Sequence, residues 1–279
     1  MNIEFPLPFA KMSGTGNDFI VIDHRRPLIP EQDQAEFVSK VCRRMFSAGA
    51  DGVILIENSK NADFAWRFYN GDGSVAEMCG NGARCAARFA YARGIADKKM
   101  RFETLAGIIE AEILEDNEVS LLMTAPFDYK KGLSVELGGT AKDVSFMNSG
   151  VPHAVLFVDQ DADIPVKEWG KIVRFHELFQ PAGTNVNFVQ SLGDGVIRVR
   201  TYERGVEDET MACGTGAVAA AIFAAEKGIS ASPVSVTTSG GEQLRIVFDL
   251  QEDGTAEKVY LQGPAKIIYI GQLTAEALS

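Results

Sequence analysis

The chain has 279 residues, 46% hydrophobic and 23% charged, enough for a substantial core in one large domain or two of ordinary size. A net charge of -11 and a pI near 4.9 argue against nucleic acid and anionic membrane surfaces as main partners. No apolar run reaches ~18 residues, and Met1 to Lys11 lacks a basic region leading into an apolar core. A cytoplasmic protein without a membrane span is therefore expected. Four cysteines and three histidines, with no Cys-x-x-Cys, fit free thiols better than a disulfide framework or a metal site.

In chain order, Phe19 to Ile22, Val53 to Ile56 and Phe64 to Tyr69 read as strands separated by Gly, Asp and Asn turn signals. Cys79-Gly-Asn-Gly-Ala-Arg-Cys85 then opens an Ala-rich, helix-favouring stretch that stops at Gly94, and Ile108 to Leu114 reads as a further strand. Phe127 to Leu133 reads as the passage to a second half. There Ala154 to Val158, Val186 to Val189, Val196 to Tyr202 and Leu244 to Leu250 repeat the strand pattern. Cys213-Gly-Thr-Gly-Ala-Val-Ala219 opens a second Ala-rich helix, which stops at Gly228. The stretch Ala217 to Ala225 is apolar all round, so it must be buried on every side. A strongly curved sheet wrapped around it is the simplest solution, once per half.

The two halves are copies. At an offset of 134 residues, ten of the seventeen positions from Cys79 to Ile95 match, and Thr104 and Gly107 fall on Thr238 and Gly241. A period this long is a duplicated domain, since solenoid repeats span roughly 20–50 residues. The expected fold is α/β with an α+β flavour: two pseudo-symmetric domains, each a curved, largely antiparallel mixed sheet around a central buried helix. Boundaries fall at 1–126 and 127–264, with the terminal strand in 265–279 crossing back to the first half.

Each duplicated cysteine is placed at a helix N-terminus, where unpaired N–H groups and the macrodipole favour negative charge and lower a thiol pKa. A carboxylate suits the N–H groups of Gly80-Asn81 and Gly214-Thr215, and the glycines let backbone come close. When an α-proton leaves an amino acid held there, charge flows into that carboxylate and the same donors stabilise it. A thiolate on one face removes the proton and a thiol on the other returns one. That chemistry is two-base racemisation or epimerisation, and it requires no pyridoxal phosphate or other cofactor.

The run Lys11-Met-x-Gly-x-Gly-Asn-Asp-Phe19, with Asn70 to Cys85, Val151-Pro-His153, Asn185 and Glu203 to Gly216, resembles the diaminopimelate epimerase family over essentially the whole chain. The resemblance implies a cofactor-independent enzyme interconverting LL- and meso-2,6-diaminopimelate, homodimeric, with its site in the cleft between the halves. It also implies a catalytic pair, Cys79 and Cys213, and a backbone cradle at Gly80, Asn81, Gly214 and Thr215. By the same likeness Asn17, Asn70, Asn185, Glu203 and Arg204 bind the substrate's polar groups, and His153 and Glu203 support catalysis. Arg204 is the natural bidentate partner for a second carboxylate, and Glu203 and the asparagines can accept from ammonium groups.

Val151 stands where the family pattern has a substrate-binding asparagine, and Gly52 where some members have a glutamine. The segment from Glu203 to Cys213 carries one extra residue. A racemase of a smaller amino acid such as proline or hydroxyproline, and a non-catalytic amino-acid-binding protein, are the alternative readings. The first would not need a distal site of Arg204, Asn185 and Asn70, and the second would not need two intact cysteine motifs.

Overall fold

A computed structural model describes residues 1–159 and 163–279. The chain divides into two compact units, Met1–Leu121 with Gly263–Ser279, and Leu122–Gln262.

The first unit contains β1 (Leu7–Gly14), β2 (Asn17–Asp23), α1 (Glu31–Val41), β3 (Gly52–Glu57), β4 (Phe64–Asn70), α2 (Gly80–Ala92), β5 (Lys99–Thr104), β6 (Gly107–Ile113) and β7 (Glu118–Leu122). β1 and β2 are antiparallel, β2 and β3 parallel, β3 and β4 antiparallel, β4 and β5 parallel, and β5–β6–β7 antiparallel. The terminal strand Lys266–Leu273 pairs antiparallel with the free side of β1, Leu7 opposite Leu273.

The second unit repeats this order with β8 (Phe127–Leu137), β9 (Thr140–Asn148), β10 (Pro152–Phe157), α3 (Val166–Arg174), β11 (Asn185–Gly193), β12 (Val196–Glu203), β13 (Asp208–Thr210), α4 (Gly214–Glu226), β14 (Val234–Thr238), β15 (Gln243–Leu250) and β16 (Ala256–Pro264). The senses repeat as well: β9–β10 antiparallel, β10–β11 parallel, β11–β12 antiparallel, β12–β14 parallel, β14–β15–β16 antiparallel. β8 lies against β9 as the terminal strand lies against β1. The duplicate of that terminal strand thus sits at the start of its unit. The stretch Phe127 to Leu133, expected as a passage, is part of a strand.

Each sheet wraps its central helix. α4 packs against β9, β10, β11, β12, β14 and β15, and its residues from Gly216 to Ala224 are all buried. A helix whose every side is apolar loses water only if strands surround it, and its alanines let them approach closely. Both helices stop as expected. Gly94 and Gly228 take φ of 64° and 71°, the left-handed conformation that glycine adopts without a Cβ clash.

One expectation is corrected. The sequence reading gives each half a single helix, whereas each unit has a second, α1 or α3, covering the other face of the sheet. Phe37, Val38 and Val41 of α1 pack on Ile20, Ile22, Val53, Leu55 and Tyr69. Val166 and Val173 of α3 pack on Ala154, Leu156, Val186, Phe188 and Tyr202. The alternate residues Val155, Val189 and Val199 join α4 instead. Strands buried on both faces lose the polar alternation of a half-exposed sheet, which is why Val53 to Ile56 reads as an unbroken apolar run.

Candidate active site

Cys79 is the N-cap of α2, in extended conformation at φ -147° and ψ 118°, and its sulfur accepts the N–H of Gly82 at 3.5 Å. The side chain is half-buried. Behind it stands a polar chain that fixes the first turn. Arg84, fully buried, donates Nη2 to Thr15 Oγ1 at 2.6 Å and to Asn81 Oδ1 at 2.7 Å. Asn81 Nδ2 then donates to Asn17 Oδ1 at 2.8 Å, and Asn17 Nδ2 to Asp51 Oδ2 at 3.0 Å. Asp51 and Asp18 share the guanidinium of Arg44, and Lys11 pairs with Asp18 at 2.7 Å. Burial raises the Asp18 carboxyl pKa, but Arg44 and Lys11 outweigh it and hold the group below its ordinary value. Close contact shapes this end as well. A Cβ on Gly14 would lie 2.8 Å from the Asn81 carbonyl and 3.0 Å from Cys85 Sγ.

Asn17 and Asn81 are thus brought together by a direct hydrogen bond. Asn70 is placed otherwise. It is exposed at the end of β4, where its side chain donates to Ser74 Oγ at 3.0 Å within the turn Asn70–Ser74. Gly52 pairs with Asn70 across β3 and β4, with Tyr69 O only 2.5 Å from where a Cβ would stand.

Cys213 is the N-cap of α4 at φ -127° and ψ 110°, half-buried, with Thr215 Oγ1 3.6 Å from its sulfur. Thr215 Oγ1 lies 2.8 Å from His153 Nε2, and the Thr215 carbonyl accepts the Ser149 hydroxyl at 2.8 Å. His153 is fully buried on β10; burial first, and then the charge of Arg204, push its imidazole down to about 3. It is a neutral ring at working pH. Asn185 donates Nδ2 to Pro152 O at 3.0 Å and accepts the Arg204 N–H at 2.8 Å, so it ties β11 to β10 and to the turn after β12. Arg204 itself donates to Ala182 O at 2.9 Å. Glu203 accepts from Thr210 Oγ1 at 2.8 Å, and burial raises its carboxyl pKa against that hydrogen bond. Among the described residues Glu203 and Arg204 form no ion pair with each other.

Arg84 and Asp51 on the Cys79 side, and Asn187 and Thr201 behind His153, join these networks without being singled out by motif or likeness. Asn187 left a signal: it is a polar residue inside the apolar run Val186 to Val189, where only a satisfied hydrogen-bond role makes burial tolerable. Arg84 carried none beyond its position on the helix. Cys42 and Cys85 are buried, and burial pushes the Cys42 thiol up to about 12.

Two duplicated units, each with a cysteine capping the helix that its sheet encloses, define a fold shared with solved structures of low sequence identity. A phenazine biosynthesis protein of the PhzF family from Bacillus anthracis superposes with a TM-score of 0.72 at 13% identity, covering 96% of this chain and 99% of that one. A hydroxyproline epimerase from Agrobacterium vitis gives 0.68 at 18% identity, covering 97% and 93%. The particular family comes from sequence. The profile of the family described as diaminopimelate epimerase matches residues 9–128 and 145–268. The diaminopimelate epimerase of Aquifex aeolicus is 47% identical over 98% of this chain and 99% of its own length. That of a Hydrogenobaculum species is 46% identical over 96% and 98%. The chain belongs to the diaminopimelate epimerase family.

Proposed function

We propose that this isomerase interconverts LL- and meso-2,6-diaminopimelate by moving a proton on and off one α-carbon, on the route to lysine and peptidoglycan precursors. The observation that carries the reading is the pair of half-buried cysteines at the N-caps of α2 and α4, in duplicated motifs of a chain from this family. The first N–H groups of each helix have no partner within the helix and point toward the N-terminus. A substrate carboxylate placed against Gly80-Asn81 and Gly214-Thr215 takes up those donors, and they bind it more tightly as charge develops on it. One cysteine thiolate removes the α-proton and the other thiol delivers one to the opposite face. The two sulfurs then exchange protonation states for the reverse reaction.

The remaining residues fit a substrate with a second amino-acid head. Arg204 supplies the distal carboxylate's guanidinium partner. Asn17, Asn70 and Asn185 supply amide groups, and Glu203 accepts from an ammonium group and supports proton transfer. His153 supports the Cys213 end. Organic chemistry of this kind needs no cofactor when a thiolate serves as base and backbone donors serve as the electron sink. A homodimer is part of the proposal. Ile268, Tyr269 and Ile270, three adjacent exposed apolar residues on the terminal strand, support a buried contact there. Among the described residues no helix is long and apolar enough to cross a membrane; a cytoplasmic location is part of the proposal.

The test is deuterium uptake from solvent at the α-carbon of LL-diaminopimelate, under reducing conditions and without pyridoxal phosphate. Exchange with inversion is expected, and its absence overturns the reading. Cys79→Ser and Cys213→Ser should each nearly abolish epimerisation while the remaining thiolate exchanges the α-proton of one stereoisomer. Near-wild-type turnover in either variant would refute the two-base assignment.

A further inference from the structure

The hydrogen bonds behind Cys213 form a chain whose direction can be read atom by atom. Asn187 is fully buried on β11. Its Nδ2 lies 2.9 Å from the Ala154 carbonyl, which can only accept, so that atom is the amide nitrogen. Its Oδ1 takes the Thr201 hydroxyl at 2.9 Å, in agreement. The second Nδ2 proton points to His153 Nδ1 at 3.1 Å. Nδ1 therefore carries a lone pair, and in a neutral imidazole the proton must then sit on Nε2. Nε2–H donates to Thr215 Oγ1 at 2.8 Å, which leaves the threonine's own proton to turn toward Cys213 Sγ at 3.6 Å. Thr215 is itself held by the Ser149 hydroxyl on its carbonyl.

We infer that Asn187 is a positioning residue for Cys213: by locking the His153 tautomer it aims the Thr215 hydroxyl at the sulfur and stabilises the thiolate form. This rests on the proposed role of Cys213 as an acid–base group. In this arrangement His153 does not accept the thiol proton, because its Nε2 already bears one and its Nδ1 is occupied by Asn187. The neutral state has a structural cause. The groups around α4 are Asn187 and Thr201 from β11 and β12, apolar Val234, Val236, Leu244 and Ile246 from β14 and β15, and Met147 from β9. The titratable group is His153 from β10, and the charge that reaches it is that of Arg204.

The test measures the sulfur directly, by mass-spectrometric rates of iodoacetamide alkylation at Cys213 across pH, with Cys79 as internal control. In Asn187→Asp the carboxylate favours a proton on Nδ1, so the chain reverses and Thr215 donates to the ring instead of to the sulfur. The pH midpoint of Cys213 alkylation is expected to rise by about one unit, roughly tenfold slower reaction at neutral pH, with Cys79 unchanged. Asn187→Asp buries a charge and could fail to fold, so Thr215→Val and Thr215→Ser supply a milder pair. Valine should reproduce the shift and serine should restore the wild-type profile. An unchanged Cys213 midpoint in folded Thr215→Val, or equal behaviour of valine and serine, overturns the inference. Because the readout is thiol chemistry and not turnover, a failure of the epimerase reading would show separately, as absent deuterium exchange with the alkylation shift intact.

Discussion

His153 and Gly216 show how much a single buried position can demand. The imidazole of His153 is held near 3 by burial and by Arg204, whereas a histidine in the unfolded chain titrates near 6.5. As pH falls below ~6.5 the unfolded chain takes up a proton that the folded chain refuses, so stability falls by up to about 1.4 kcal/mol per pH unit. His153→Gln should flatten the slope of unfolding free energy between pH 6.5 and 5, read from urea midpoints of the two proteins. An equal slope would mean that the ring is not held neutral. Gly216, in the first turn of α4, faces the same ring: a Cβ there would collide with Asn187 Oδ1 and stand 3.3 Å from His153 Cε1. Alanine ordinarily stabilises a helix interior over glycine by roughly 0.5–1 kcal/mol. Here Gly216→Ala should destabilise by about 1–3 kcal/mol and lower turnover, because the displaced amide belongs to the chain behind Cys213. The matching Gly82→Ala meets Trp66 at 3.3 Å and should be far milder by both measurements.

At the scale of elements, α2 and α4 end in the same hydrogen-bonded cap. Ile95 N–H reaches Ala90 O at 2.8 Å and Gly94 N–H reaches Tyr91 O at 3.1 Å, while Ile229 reaches Ala224 at 2.9 Å and Gly228 reaches Ala225 at 3.0 Å. Nothing lies within 4 Å of a Cβ at either glycine, so the cost of alanine is the left-handed backbone alone. Gly94→Ala and Gly228→Ala should each lose about 1 kcal/mol in thermal or urea unfolding, with turnover kept, since the cysteines are at the opposite ends of these helices. The helices differ in their cores. Phe223 on α4 is fully buried among apolar strands, and Phe223→Ala should cost about 3–5 kcal/mol. α2 instead buries Arg84, whose charge must be met by Thr15, Asn81 and the Gly80 carbonyl.

The whole molecule closes its first unit with its last strand. β1 lies between β2 and Lys266–Leu273, and Leu273 packs into the same cluster as Leu7 and Phe9. Ending the chain after Pro264 would leave a row of unpaired β1 groups in water and strip that cluster of Leu273. Hydrogen exchange should then accelerate across β1 and β2 while β10 to β12, in the other unit, stay protected. Uniform loss of protection in both units, or none in either, would contradict the separate accounting of the units.

The duplication, the two cysteine N-caps, the glycine stops and the enclosed apolar helix are legible along the chain. Each of these is written in local spacing: ten shared positions around Cys79 and Cys213, a glycine after each helix, an unbroken alanine run. Family likeness added Asn17, Asn185, Glu203 and Arg204, which spacing alone does not distinguish from turn residues or solvated polar groups. What those groups touch depends on how the strands and helices pack. The parallel register that sets His153 beside Asn185 also brings Asn187 to the ring, from 34 residues away in the chain. Arg84 reaches Thr15 across 69 residues. Likewise α1 and α3 cover sheet faces whose strands read simply as apolar. Caps and periodicity arise from neighbours along the chain, whereas hydrogen-bond partners at such separations exist only once strands have taken their register.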